Sequence, residues 1–259
     1  MKIYSWNIYF RNGQLEKAFA FIKALDFDVL CLQEVPETFL ARLQELPVHL
    51  AYAPEVDRLF SHGTERNYLV ILSRYKILSQ NVFPFAILHL PFRTRLFIRV
   101  MRRMHWSRVA NRNGFFADIS VPHIQTPMRV FCLHLVLAHP EARRKEFGIA
   151  MREYDKELPT VVCGDFNILD TPYVTFFNWL LGGKMSDAVL WRRERRAFER
   201  EISALGLVNP HYGKRTHILA KQLDHILVSR SLSIESARVA LLKPGSDHYP
   251  VHVEIATTT

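Results

Sequence analysis

Five short strings of chemistry-bearing residues each close an apolar run, and they are spread over almost the whole chain. They are Ser5-Trp6-Asn7, Gln33-Glu34, Gly164-Asp165-Phe166-Asn167, Leu223-Asp224-His225 and Ser246-Asp247-His248. An acid at the end of a buried strand is unfavourable unless it is paired or metal-bound. A fold that ends several buried strands at one place, with these strings meeting there, satisfies all of them together. The combined set of carboxylates, amides and one imidazole is rich in hard oxygen donors. Such a set suits Mg²⁺ or Mn²⁺ and the hydrolysis of a phosphate ester.

The runs themselves read as strands. Lys2–Asn7, Val29–Gln33, Tyr68–Ser73, Phe115–Val121, Arg129–Leu137, Thr160–Gly164, Gln222–Ser229 and Val251–Ile255 are short and rich in Val, Ile, Leu, Phe and Cys. Between them, Gln14–Leu25 places Leu15, Ala18, Phe19, Ile22 and Leu25 on one helical face. Glu141–Tyr154, Pro172–Leu181 and Ala197–Leu205 are similar. Strands and helices intermix without strict alternation. This predicts an α/β chain with two packed sheets and helices outside them, rather than a doubly wound sheet. No repeat or linker divides the chain, so one domain over residues 1–259 is expected. Phe92–Asn111 stands apart and is expected to be a largely helical insertion between two core strands.

No apolar run approaches the roughly 20 residues that span a bilayer, and the opening Met-Lys-Ile-Tyr-Ser-Trp-Asn leaves no room for a cleavable leader. Cys31, Cys132 and Cys163 each sit in an apolar run. Odd in number and buried in setting, they read as core thiols in a reducing cytoplasm.

The formal charge is +9. From Arg66 to Phe116 there is no acid but there are ten basic residues, including Arg95, Arg99, Arg102, Arg103, Arg108 and Arg112. A segment without acids cannot neutralise itself by local pairing. It is expected to face a polyanion, either nucleic acid or an acidic membrane surface. Nothing in the sequence calls for an obligate protein partner.

On an extended segment, positions i and i+2 point the same way. Asp165 and Asn167 therefore face one site while Phe166 packs inward. The carboxylate can orient or deprotonate a water, and the amide can bond both water and phosphate. A histidine used as acid or base needs its far nitrogen held, which assigns Asp224 to His248. His225 then points the opposite way and reads as a packed residue. Glu34 is the first choice for a metal carboxylate, with the Asn7 amide oxygen beside it. His134, near the end of an apolar strand, can donate to a scissile phosphate. Asn67, at the start of the Tyr68–Ser73 run, is expected to orient it.

In this order, these strings resemble the endonuclease/exonuclease/phosphatase superfamily. The resemblance covers residues 3 to 255. It implies a four-layer α/β/β/α sandwich with two packed mixed sheets flanked by helices, the site at one end of both sheets. It further implies that Asn7, Glu34 and Asp247 take metal-site roles, and that Asp165 and Asn167 handle the attacking water and the phosphate. His248 is then paired with Asp224, and the reaction is metal-dependent phosphoester hydrolysis. His134 matches the deoxyribonuclease and sphingomyelinase branches, where abasic-site endonucleases place Tyr.

Two substrate classes follow. A nuclease would use Asn67 and the arginines Arg95, Arg99, Arg102, Arg103, Arg108 and Arg112 to bind a nucleic-acid backbone. A membrane-surface lipid phosphodiesterase or phosphatase would instead use the alternation of those arginines with Phe92, Leu96 and Phe97 as an interfacial segment. The nuclease is the leading expectation.

Overall fold

A computed structural model describes residues 1–60, 63–86, 90–102 and 108–256. The chain begins with β1 (Lys2–Asn7), α1 (Leu15–Ala24), β2 (Val29–Pro36), α2 (Glu37–Leu43), β3 (His49–Leu59), β4 (Thr64–Ser73) and β5 (Ile77–Pro84). It continues with α3 (Phe92–Arg102), β6 (Arg108–Ala110), β7 (Asn113–Ile119), β8 (Met128–His134), α4 (Pro140–Ala150) and β9 (Thr160–Asp165). It closes with α5 (Phe176–Leu180), α6 (Met185–Val189), α7 (Arg193–Ala204), β10 (Leu207–Val208), β11 (Asp224–Ser229), β12 (Ile234–Val239) and β13 (Val251–Ile255).

The strands form a seven-stranded sheet, β12-β13-β1-β2-β4-β3-β6, and a six-stranded sheet, β10-β11-β9-β8-β7-β5. Both are mixed, because β1–β2 and β8–β9 pair in parallel and their neighbours are antiparallel. Side-chain alternation sorts the core into layers. Ile3, Cys31, Ile71, Phe115, Val130, Cys163 and Ile226 meet between the sheets. Trp6, Leu30, Leu32 and Leu72 face outward onto Phe19, Ile22, Phe39 and Leu40 of α1 and α2. Phe131, Leu133, Val162 and Leu227 face outward onto Phe147 of α4 and Phe198 and Ile202 of α7. The result is the four-layer α/β/β/α sandwich.

The parallel pairs explain where the polar strings go. The β1–β2 pairing ends with Asn7 opposite Gln33, one residue before Glu34. β8 and β9 end together, with His134 opposite Asp165, and antiparallel β11 starts at Asp224, also opposite Asp165. A Cβ on Gly164 would collide with the Leu133 carbonyl, so glycine there lets β9 run close against β8 just before Asp165.

All eight expected strands are present, with shifted ends. β8 stops at His134, three residues before the expected end; Val136 N–H turns away from the sheet and donates to Glu146 Oε2 at 2.7 Å. The helix expected over Pro172–Leu181 is only Phe176–Leu180. The 92–111 insertion is helical through Arg102 and then extended at β6. It leaves β5, in the second sheet, and returns to pair with β3 in the first. Because β5 runs parallel to β8 through the intervening β7, α3 leaves from the end of the sheet that carries His134.

Candidate active site

Asp165 is the hub. It is buried, its Oδ1 accepts from Asn167 N–H at 2.9 Å, and its Oδ2 accepts from Asn7 Nδ2 at 3.0 Å. Two imidazoles flank Oδ2: His248 Nε2 at 3.6 Å and His134 Nε2 at 3.7 Å. Each ring is held from behind by a buried carboxylate. Asp224 contacts His248 Nδ1 at 3.0 and 3.1 Å, and Glu55 contacts His134 Nδ1 at 2.6 Å.

The electrostatics follow from these contacts. Burial works against the His248 imidazolium, but Asp224 and then Asp165 outweigh it and the ring is pushed up to about 10. Burial also opposes the charge on His134, and Glu55, Asp165 and Glu34 raise it overall. Asp165 is held below its usual value although burial opposes ionisation, because His248 and His134 sit beside it. Geometry separates the two rings further. Asn167 Nδ2 donates to the Leu135 carbonyl at 2.9 Å, which fixes the amide, and it also lies 3.0 Å from His134 Nε2. His134 Nε2 therefore accepts, and the ring holds its proton on Nδ1 toward Glu55. The nearby acids raise this ring toward a second proton, while the fixed amide opposes a proton at Nε2. His248 Nε2 meets no such donor.

The backbone is shaped to the task. Glu34 has φ 57° and Asn167 has φ 52°, a left-handed conformation uncommon for non-glycine residues. The β2–β4 register shifts between Leu32 and Val35, so Glu34 sits in a bulge and its N–H donates to Glu55 Oε2 at 2.7 Å. Glu34 Oε2 accepts from Phe10 N–H at 2.9 Å, and its Oε1 pairs with Arg58 Nη2 at 3.1 Å.

The sequence matches the Endonuclease/Exonuclease/phosphatase family over residues 4–248. The chain belongs to this family. Solved structures share its fold. An endonuclease/exonuclease/phosphatase from Beutenbergia cavernae aligns with TM-score 0.67 at 17% identity, covering 98% of this chain and 71% of that one. An AP endonuclease from Archaeoglobus fulgidus aligns with TM-score 0.62 at 17% identity over 98% and 99% of the two chains. The human Nocturnin catalytic domain, with bound sulfate, aligns with TM-score 0.63 at 18% identity over 99% and 93%. None of the curated proteins matches the sequence significantly. Family members are phosphoester hydrolases, and at such identities the structural likenesses speak to fold alone.

The donor set around the hub suits the divalent cation on which this family typically depends. Asp247 Oδ1 is buried without a hydrogen-bond partner among the described residues, 3.9 Å from His248 Nε2. A carboxylate oxygen in that state is a vacant ligand for a hard cation. Both Glu34 oxygens and the Asn7 Oδ1, which accepts from Tyr9 N–H at 3.0 Å, are engaged once and keep a second lone pair.

The structure thus brings together Asn7, Glu34, His134, Asp165, Asn167, Asp224, Asp247 and His248. His225 faces away, as expected, and stacks on Phe166 at 4.7 Å. Three expectations need correction. Asn67 does not orient His134; it accepts from Arg58 Nε at 2.7 Å and donates to the Glu34 carbonyl at 3.4 Å, bracing the metal-side loop. Arg112 does not face substrate. Its guanidinium forks onto Glu146 at 3.1 and 3.0 Å and caps the His134 carbonyl at 2.6 Å. The acid-free segment is also partly neutralised by remote acids, since Arg66 pairs with Asp57 and Arg74 with Asp26. Arg95 and Arg99 are exposed on α3. Arg103 and the side chains of Arg102 and Arg108 lie outside the described residues.

Sequence reasoning missed Glu55, Arg58 and His217. Glu55 carried a signal, an acid set among Ala51, Ala53 and Val56, but Pro54 disguised the strand. His217 carried none. Its Nδ1 accepts from Leu219 and Ala220 N–H at 3.1 Å each, which leaves the proton on Nε2 to donate to Asp247 Oδ2 at 3.3 Å. Among the described residues no helix is long and apolar enough to cross a membrane.

Proposed function

We propose that residues 1–259 form one catalytic domain, a divalent-metal-dependent phosphodiesterase using Mg²⁺ or Mn²⁺. The observation that carries this reading is Asp165 Oδ2 lying between two histidine Nε2 atoms, each ring backed by a buried acid. Glu34, Asp247 and Asn7 would hold the ion, which when bound supplies Lewis-acid stabilisation of charge at phosphorus. Asp165, fixed by Asn7 and by the Asn167 N–H, orients the attacking water. The Asn167 amide steadies water and phosphate. His248, positively charged and held by Asp224, stabilises charge gathering on the phosphoryl oxygens. His134, held by Glu55, flanks Asp165 Oδ2 on the side opposite His248, within reach of a bound phosphate.

Two substrate classes remain. Nucleic acid draws support from the +9 charge and from the AP endonuclease among similar folds. With Arg112 committed to Glu146, however, the described arginines that still face solvent on the insertion are Arg95 and Arg99, set among exposed apolar residues. That surface favours a phospholipid headgroup. Free buried thiols at Cys31, Cys132 and Cys163 support a reducing compartment such as the cytoplasm.

The test is hydrolysis of plasmid DNA, RNA and phospholipid vesicles, with Mg²⁺ or Mn²⁺ and with chelator. Turnover should require the metal and fall on the order of 10³-fold in Glu34→Gln. Equal rates in chelator and in the variant would refute the assignment.

A further inference from the structure

We propose that α3 is a docking helix for an anionic phospholipid surface, poised to present headgroups to the site at its side. Its exposed positions are Phe92, Arg95, Leu96, Arg99 and Val100. At 100° per residue they fill one continuous arc of about 140°, arginines along one edge and apolar side chains along the other. The apolar residues are open to water: Phe92 is 71%, Val100 55% and Leu96 48% exposed. No carboxylate among the described residues pairs with Arg95 or Arg99.

The inner face is fixed. Thr94 Oγ1 donates to the Leu180 carbonyl at 3.0 Å, and the Arg93 guanidinium donates to the carbonyls of Trp179 and Gly183. The helix is therefore held with its amphipathic arc outward. Phe176 and Phe177 of α5, which packs against α3, are likewise 50% and 41% exposed. α3 leaves the β5 end that lies beside His134, and the chain returns to β3 beyond Glu55. The helix thus leaves from the end of the second sheet that carries His134, with β7 between β5 and β8.

Charge complementarity selects the occupant. Arginines bond lipid phosphates while Phe92, Leu96 and Val100 enter the acyl boundary. A nucleic-acid backbone is met by cations and hydrogen-bond donors, and it gives nothing in return for Leu96 and Val100. Only the choice of substrate rests on the phosphodiesterase reading; the docking itself does not.

The experiment is sedimentation with vesicles of phosphatidylcholine, alone or mixed with phosphatidylglycerol, in chelator so that hydrolysis plays no part. The protein should pellet with the mixed vesicles and be released as salt rises. Arg95→Ala and Arg99→Ala should each weaken the partition about fivefold. Leu96→Ser with Val100→Ser should weaken it about tenfold or more. All three variants should keep the native circular dichroism and the metal-dependent hydrolysis of a soluble diester, bis(p-nitrophenyl) phosphate. Failure of the native protein to pellet overturns the proposal. So does pelleting that depends on the arginines but not on Leu96 and Val100, the result expected of a nucleic-acid groove. Docking without hydrolysis of any diester in Mg²⁺ would leave this proposal standing and remove the phosphodiesterase reading instead.

Discussion

The dipeptide Asp-His occurs at 224–225 and at 247–248, and its two histidines have opposite fates. His248 sits at the catalytic end with Asp224 behind it and Asp165 in front, and is raised to about 10. His225 lies on the outer flank of the second sheet, stacked on Phe166. Its Nδ1 donates to the Leu223 carbonyl at 2.8 Å and its Nε2 accepts from Arg195 at 2.6 Å, so burial and the guanidinium drive it well below its usual value. His211 resembles His225. It is buried, bonds the carbonyls of Arg238 and His252, and is lowered to about 4, chiefly by burial. Burial alone thus gives a neutral structural histidine. At His248, Asp224 behind the ring and Asp165 in front of it outweigh burial and favour the charged form.

The largest effect should come from converting one kind into the other. Asp224→Asn leaves His248 without its acid, and kcat on a soluble diester should fall on the order of 10³-fold while the fold persists. A rate within tenfold of the native value would break the comparison. Next is His217, whose Nε2 donates to Asp247. His217→Ala should weaken Mn²⁺ binding, followed by electron paramagnetic resonance, by about 10- to 100-fold. His217→Gln, which keeps a donor on a similar reach, should restore most of it; no change in either variant would remove His217 from the site.

The flank should announce itself in acid. The unfolded chain protonates a histidine near 6.5, whereas folded His211 resists until about 4. Below about pH 6.5 the unfolded state binds the extra proton, so this contribution to stability declines as pH falls. Urea unfolding should show a loss of about 2 kcal/mol at pH 5 relative to pH 7 from His211, absent in His211→Asn. Smallest is His225→Phe. Arg195 loses one acceptor but keeps Asp170 and the Gln222 carbonyl, so stability should fall by about 1 kcal/mol with turnover unchanged. A large loss of activity there would assign His225 to the chemistry after all.

Much of this was legible in the sequence because buried strands advertise themselves. The eight strands read from it carry apolar runs with at least one face buried, and β2 and β9 are buried on both. β5 and β12 escaped because most of their residues are exposed or half-buried and polar, and β3 because Pro54, Glu55 and Asp57 interrupt its apolar pattern. The same cause hid Glu55 and Arg58. The remote pairing of Arg112 with Glu146, and the left-handed turns at Glu34 and Asn167, depend on contacts across the sheets that no local pattern encodes.

The first and last strands of the first sheet are tied at their tips: Ser246 Oγ donates to the Asn7 carbonyl at 2.7 Å and Trp6 Nε1 to the His248 carbonyl at 3.1 Å. Until β13 docks, β1 is an open edge and the hub lacks its charged imidazole. Sealing that edge and arming the chemistry are therefore one event. A chain that has not closed that edge has not yet brought His248 to Asp165, and fraying at the same seam parts them again.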